Sequence, residues 1–243
     1  MSARINSFSP RSTTLSIGAF TLGALLLLSS CGPTQKVRRT FALSELSSQA
    51  RWAAIQGDDQ KALELWTEYV DRRPQSHSAQ FGLGSVQARM GMLPQALGHL
   101  TTAHDLRPGN IEYIEKLADA LIEAGKIDEM MNLLQATSSE GGIVEGNLRL
   151  ARYAKQVGML DEAKLAIRNA TVSSDSGIES YIAMADFAQQ INDTKLEEWA
   201  LRRALWFDRS SNELDQRFLA LGITPGPSLA INPRLASVPS SDW

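Results

Sequence analysis

The sequence predicts an all-helical protein built from stacked helix pairs, and three observations carry that prediction. Glycines recur at Gly57, Gly91, Gly125 and Gly158, spaced 34, 34 and 33 residues apart, and Asn192 stands another 34 on in the same phase. Between them the apolar residues keep a helical period: Leu93, Ala96, Leu97, Leu100 and Ala103 fall at offsets 0, 3, 4, 7 and 10, one face of a helix. Small residues return in columns, at Ala50, Gly84, Ala118, Ala151 and Ala185 seven before the glycine phase and at Ala62, Ala96 and Ala163 five after it. No comparable run alternates with period two, as a half-buried strand would.

Each unit reads as helix, tight turn, helix. The units run approximately 43–76, 77–110, 111–143, 144–177 and 178–211. The first helix ends at the glycine phase, where a left-handed residue stops it. The second carries a large apolar residue (Trp66, Leu100, Leu134, Ile167, Leu201) and then a small one in most units (Ala103, Ala170, Ala204). Pro94 falls in the first turn of a helix, where a missing N–H costs nothing, and Pro74 and Pro108 follow the ends of helices. Small columns let helices approach closely, and each pair has an apolar face that only a stacked neighbour can bury.

Unit three departs most, with Met130 for Ala, Gly142 where Pro stands elsewhere and a loose Thr137 to Gly142 connection, which predicts a kink or wider loop. Unit five has Asn192 and Glu197 in the glycine and alanine phases. Residues 212–222 read as one more helix, a polar-faced cap stopped by Gly222. Pro225, Pro227, Pro233 and Pro239 make residues 223–243 an expected extended, disordered tail. Trp52, Trp66, Trp199 and Trp206, with Met90, Met130, Met159 and Met184, recur at helical spacing and are expected in the core.

Taken together these columns (small, Gly, Ala, large apolar, Ala, Pro) resemble the tetratricopeptide repeat. The resemblance covers residues 43–209 and implies a right-handed solenoid of about five helix pairs with a protein or peptide ligand held on its concave face. Carried over position by position, the groove residues are Arg51 in unit one, Phe81, Ser85 and Arg89 in unit two, and Glu112, Glu115, Asp119 and Glu123 in unit three. Arg152 and Lys155 follow in unit four, and Glu179, Asp186 and Gln189 in unit five. Such a groove departs from the basic clamp with which chaperone-binding members hold a C-terminal carboxylate. Two readings stay open for its acidic middle. Asp119 and Glu123 pair with Arg152 and Lys155 as solvated bridges, or the acids receive a basic or mixed-charge partner segment beside Phe81 as apolar anchor.

The N-terminus has a separate function. Residues 1–30 hold Arg4, Arg11 and no acid, then 14 apolar or small residues from Leu15 to Leu28. That is shorter than the roughly 20 residues a membrane-spanning helix needs, and reads as a signal peptide. Leu28-Ser29-Ser30-Cys31 resembles a bacterial lipobox, which implies lipidation of Cys31 and its exposure as the mature N-terminus. Residues 31–42 then form a tether. Removal of residues 1–30 leaves 22 basic against 27 acidic residues, a charge of −5. The resemblance implies a membrane-anchored exported protein, facing the periplasm from the outer membrane in a diderm cell, because Gly32 stands where an inner-membrane retention signal has Asp.

Chemistry of other kinds finds little footing. A net charge of −3 with no basic run longer than Arg38-Arg39 gives nucleic acid no attractive surface. One cysteine excludes an intrachain disulfide and multi-thiolate zinc sites. His99 and His104 are five apart and do not share a helix face as an i, i+4 metal pair does, and His77 opens another unit. The glycines at Gly82, Gly84 and Gly141 to Gly146 lack the Gly-Lys-Ser/Thr ending of a phosphate loop, and no nucleophile-and-base motif occurs. The expectation is a non-enzymatic, membrane-anchored protein-binding scaffold of cell-envelope assembly, without a cofactor other than the lipid on Cys31. The alternative is an accessory that recruits a cell-wall enzyme.

Overall fold

The computed structural model describes the backbone of residues 33–235 and side chains from 42 to 234. The signal segment 1–30, Cys31 and residues 236–243 lie outside the described residues. The chain divides into two compact units, 1–44 and 45–243.

Eleven α-helices are described: α1 (Pro33–Ile55), α2 (Asp59–Arg72), α3 (His77–Arg89), α4 (Leu93–Leu106), α5 (Ile111–Glu123) and α6 (Ile127–Ala136), then α7 (Ile143–Gln156), α8 (Leu160–Val172), α9 (Ile178–Gln190), α10 (Thr194–Phe207) and α11 (Asn212–Ala220). They are five pairs and a cap, with no strand among the described residues. From α2 onward each helix packs on the next, and α3 also meets α5 as α7 meets α9, so first helices of neighbouring units touch.

The turns follow from the glycine phase. Gly57, Gly91, Gly125 and Gly158 have φ between 71° and 80°, and Asn192 is the one non-glycine with positive φ among the described residues, at 60°. Asparagine tolerates this left-handed conformation better than other side chains with a Cβ. Asp58, Ser76, Asn110, Asp193 and Ser211 accept backbone N–H bonds at the N-termini of α2, α3, α5, α10 and α11. Pro94 lies in the first turn of α4, and the helix ends two residues before Pro108.

The columns become the core. Ala50, Ala62, Ala96, Ala103, Ala118, Ala163, Ala170, Ala185 and Ala204 are wholly buried, and Leu100, Leu134, Ile167 and Leu201 pack among them. Each such leucine or isoleucine contributes roughly 1.5 to 3 kcal/mol by leaving water. One apolar cluster gathers Ala50, Ala53, Ala62, Trp66, Ala79, Leu83 and Val86, and a larger one continues from Leu100 to Phe218.

Residues 33–42, read as the tether, are helical, with Pro33 at the start of α1. Two expectations are corrected. Residues 223–235 are not a loose tail: Ile223, Leu229 and Ala230 pack against the core and the Ile231 N–H donates to the Arg202 carbonyl at 3.0 Å. Two short 3-10 turns, Pro227–Leu229 and Pro233–Leu235, shape this strap, whose few apolar residues suffice because α10 supplies a preformed surface. Trp52, Trp206 and Met90 are 61%, 39% and 38% exposed, so helical spacing placed them one column away from the seam. Trp66, Met130 and Met184 are buried as expected.

The wider connection falls in unit three. Helix α6 is only 10 residues long, and Gly141 and Gly142, both with positive φ, lead into α7. Arg149, buried on α7, holds this loop by donating to the carbonyls of Thr137 at 2.9 Å and Glu140 at 3.1 Å. Its burial lowers the guanidinium below its ordinary pKa.

Candidate interaction groove

The first helices of units one to three bring five of the expected groove residues to one cavity of about 470 Å³: Arg51 from α1, Phe81, Ser85 and Arg89 from α3, and Glu112 from α5. Its floor is apolar. Trp66 is buried beneath it, lying so close to α3 that a Cβ on Gly82 would enter the indole, which explains a glycine inside a helix. Phe81 stacks on Tyr113 with ring centroids 4.5 Å apart, and the Tyr113 hydroxyl lies 2.8 Å from His77 Nδ1, so the aromatic wall is fixed from both sides. Tyr113 was not singled out by position; its signal was its place two residues into α5, facing back toward α3.

The rim charges differ in freedom. Arg89 is committed to Asp59, with Nε and Nη2 reaching the same carboxylate oxygen at 3.0 and 2.5 Å. Arg51 and Glu112 are exposed on opposite helices with no hydrogen bond or ion pair among the described residues. Burial and the Glu112 carboxylate raise the pKa of Tyr113, opposed by Arg107 and Arg51, so both free charges act on the same ring. The Ser85 hydroxyl is buried in the lining without a partner.

The remaining expected residues do not reach this cavity. Glu115 pairs with Arg152 at 2.5 Å, and Asp119 accepts from the Tyr153 hydroxyl at 2.8 Å. Tyr153 also donates toward the Glu115 carbonyl at 3.1 Å, and burial together with Asp119 raises its pKa well above the ordinary tyrosine range. The acidic middle is therefore largely spent in joining α5 to α7, though with partners other than the Asp119–Arg152 and Glu123–Lys155 pairs expected. The missed residue is Tyr153, an aromatic at a core position whose hydroxyl is polar enough to reach the rim. Glu123 is exposed and Lys155 half-buried farther along, and Asp186 of unit five pairs with Arg217. His99 is likewise structural, its Nδ1 2.7 Å from the Gln80 amide oxygen, while the Gln80 amide donates to the Pro74 carbonyl.

No family model matches the chain. A curated relative, the cellulose synthase 2 operon protein C of Komagataeibacter xylinus, is 29% identical over 140 residues, 58% of this chain. The chain spans only 10% of that relative's length. Among solved structures, a tetratricopeptide repeat protein of Parabacteroides merdae superposes with a TM-score of 0.53 at 17% identity, covering 74% of this chain and 72% of that one. A MamA of Desulfovibrio magneticus superposes with a TM-score of 0.51 at 13% identity, covering 70% and 97%. At such identities the likeness is one of fold, and the fold of the repeat region is that of tetratricopeptide proteins.

Proposed function

We propose that the chain is a protein-binding scaffold whose cavity around Phe81 takes the apolar anchor of a partner segment carrying charges of both signs. The carrying observation is convergence: residues from α1, α3 and α5 that are far apart in sequence line one cavity with an apolar floor, a free cation and a free anion on its rim, and an unsatisfied hydroxyl in its wall. A cavity of about 470 Å³ suits one or two large side chains rather than a whole domain. Arg51 and Glu112 then select a segment with an acid on one side of the anchor and a base on the other.

The finer setting is a proposal as well. Lipidation of Cys31 ties the scaffold to a membrane, and its partner is then a component of a multi-component envelope assembly. The alternative, recruitment of a cell-wall enzyme, uses the same cavity with a different occupant.

A photo-crosslinking residue in place of Phe81, in the full chain expressed in its own cell, tests this directly. One dominant protein adduct, lost on an Arg51→Glu, Glu112→Lys exchange, is expected. An envelope assembly component as adduct supports the first setting, and a peptidoglycan hydrolase or synthase the second. Absence of any specific adduct, or adducts indifferent to both charges, overturns the site. Cys31→Ser is expected to move the protein from the detergent phase to the aqueous phase.

A further inference from the structure

A second cleft, of about 830 Å³, opens at the other end of the array between the α8–α9 loop, α10 and the C-terminal strap. Tyr181, Trp199, Trp206 and Phe207 line it, and Val172 joins them. Phe207 stacks on Tyr181 with ring centroids 6.0 Å apart, yet Val172, Phe207 and Trp206 remain 67%, 45% and 39% exposed beside columns that are buried. Apolar surface left in water at one place is stabilised by whatever segment covers it. The aromatic faces do not say which segment that is; the charges around them do.

Arg234 is the one charged residue among the described lining residues. Its backbone N–H donates to the Asn232 side chain at 3.0 Å, but its guanidinium has no hydrogen bond or ion pair among the described residues. A second guanidinium, that of Arg209, lies 5.0 Å from the Trp206 ring centre. The acids next to lining residues in sequence are engaged within their own loops: Asp175 accepts from the Ser174 hydroxyl at 3.1 Å, and Asp208 from the Ser210 N–H and hydroxyl at 3.0 Å. The rest of the polar lining, Thr171, Ser173, Ser174, Ser176 and Asn232, offers donors and acceptors together, as a peptide backbone requires. The complement of this cleft is a peptide segment with an aromatic side chain, a carboxylate and no base.

Such a segment is already attached beside it. Pro233 and Arg234 of the strap belong to the lining, and past Leu235 the sequence continues as Ala236-Ser-Val-Pro-Ser-Ser-Asp-Trp243. These eight residues carry one acid, one aromatic ring and no base. Fully extended they reach roughly 26 Å, and Val238-Pro239-Ser240-Ser241 has the residue types of a chain reversal. We propose that residues 236–243 fold back into this cleft, with the Trp243 indole against Trp206 and Phe207 and the Asp242 carboxylate on the Arg234 guanidinium. Attachment beside the cleft gives the segment an effective concentration on the order of millimolar, which a free acidic peptide has to exceed in order to displace it. The tail then covers the aromatic surface that α11 leaves open at the end of the array. This site is separate from the Phe81 cavity and does not depend on it.

The full chain, labelled with 5-fluorotryptophan, is compared by fluorine NMR with a synthetic peptide of residues 236–243 free in solution. The Trp243 signal, assigned with Trp243→Phe, is expected to be displaced from its position in the free peptide and to stay there when the protein is diluted. Trp243→Ala is expected to move the Trp206 signal in turn. Arg234→Glu, at an exposed position of the strap, returns the Trp243 signal to the free position, and adding Asp242→Arg, which reverses both charges, displaces it again. The proposal is overturned by a Trp243 signal at the free position in the wild type, by a Trp206 signal indifferent to Trp243→Ala, by a displacement that survives Arg234→Glu, or by failure of the reversed pair to restore it. Loss of the displacement on dilution also overturns it, because the tail then belongs in the cleft of a second copy.

Discussion

Arg217 of the capping helix donates to the buried carboxylate of Glu197 at 3.2 Å, and its other terminal nitrogen reaches Asp186 at 2.7 Å. Glu197 stands in the column that holds alanine in units one, two and four, so the apparent defect of the fifth repeat is the place where the cap is fastened. The last unit has no further repeat to cover it, and a charge-assisted contact to α11 joins Leu214 and Phe218 in closing the core.

Arg217→Ala is therefore expected to cost about 3 kcal/mol, because it strands a carboxylate that is 6% exposed. Glu197→Ala restores the column residue and removes the need for a partner, so its cost is expected to be smaller. Denaturant titration of the two variants and their double mutant checks this order, and equal losses would contradict it.

Asn192 occupies the turn that glycine occupies in units one to four, with φ at 60°. Asn192→Gly is expected to leave the melting temperature within a degree or two of the wild type, whereas Asn192→Val, β-branched in a left-handed turn, costs about 1 to 2 kcal/mol. A calorimetric scan that ranks valine level with glycine would contradict the reading of this position as a turn phase.

Most of the fold was legible because periodicity and sterics act locally. The glycine phase demands a left-handed turn whatever the tertiary context, and a residue opposite a helix seam must be small, so Ala96 or Ala163 states its surroundings. Five groove positions reached one cavity for the same reason: position in a repeat fixes direction on the helix. Tyr153 and the strap were not legible. Tyr153 is a core residue by spacing, and only its hydroxyl, reaching past the seam, makes it the partner of Asp119. The strap holds by a single backbone bond to Arg202 and three apolar contacts, too weak a pattern to stand out from a proline-rich tail.

Acid is expected to loosen the α3–α4 contact through His99. Burial lowers its pKa below the ordinary histidine value of 6.5, so the folded chain resists the proton that the unfolded chain takes up. Stability is full above that value and declines as pH falls from it toward the folded-state pKa, since the unfolded state binds more protons in that interval. Melting temperatures measured between about pH 7.5 and pH 5 should fall less steeply for His99→Gln, which keeps a polar group near Gln80 but has no proton to gain. Parallel curves for the two proteins would remove His99 as the cause.

Two glycines inside helices should respond to alanine in opposite directions. Gly98 on α4 has open space where a Cβ would go, and an interior helical alanine is favoured over glycine by about 1 kcal/mol, so Gly98→Ala is expected to raise the melting temperature. Gly146 on α7 gains the same propensity, yet a Cβ there runs into the Ser138 carbonyl, a backbone group that Arg149 helps hold by gripping Thr137 and Glu140 on either side. A backbone obstacle cannot rotate away, and such overpacking costs about 1 to 3 kcal/mol, which outweighs the gain. Gly146→Ala should thus destabilise, and adding Arg149→Lys, which frees the loop to shift, should recover part of the alanine's penalty relative to Arg149→Lys alone. If both alanines stabilise equally, the close approach of the unit-three loop to α7 is not a constraint on the fold.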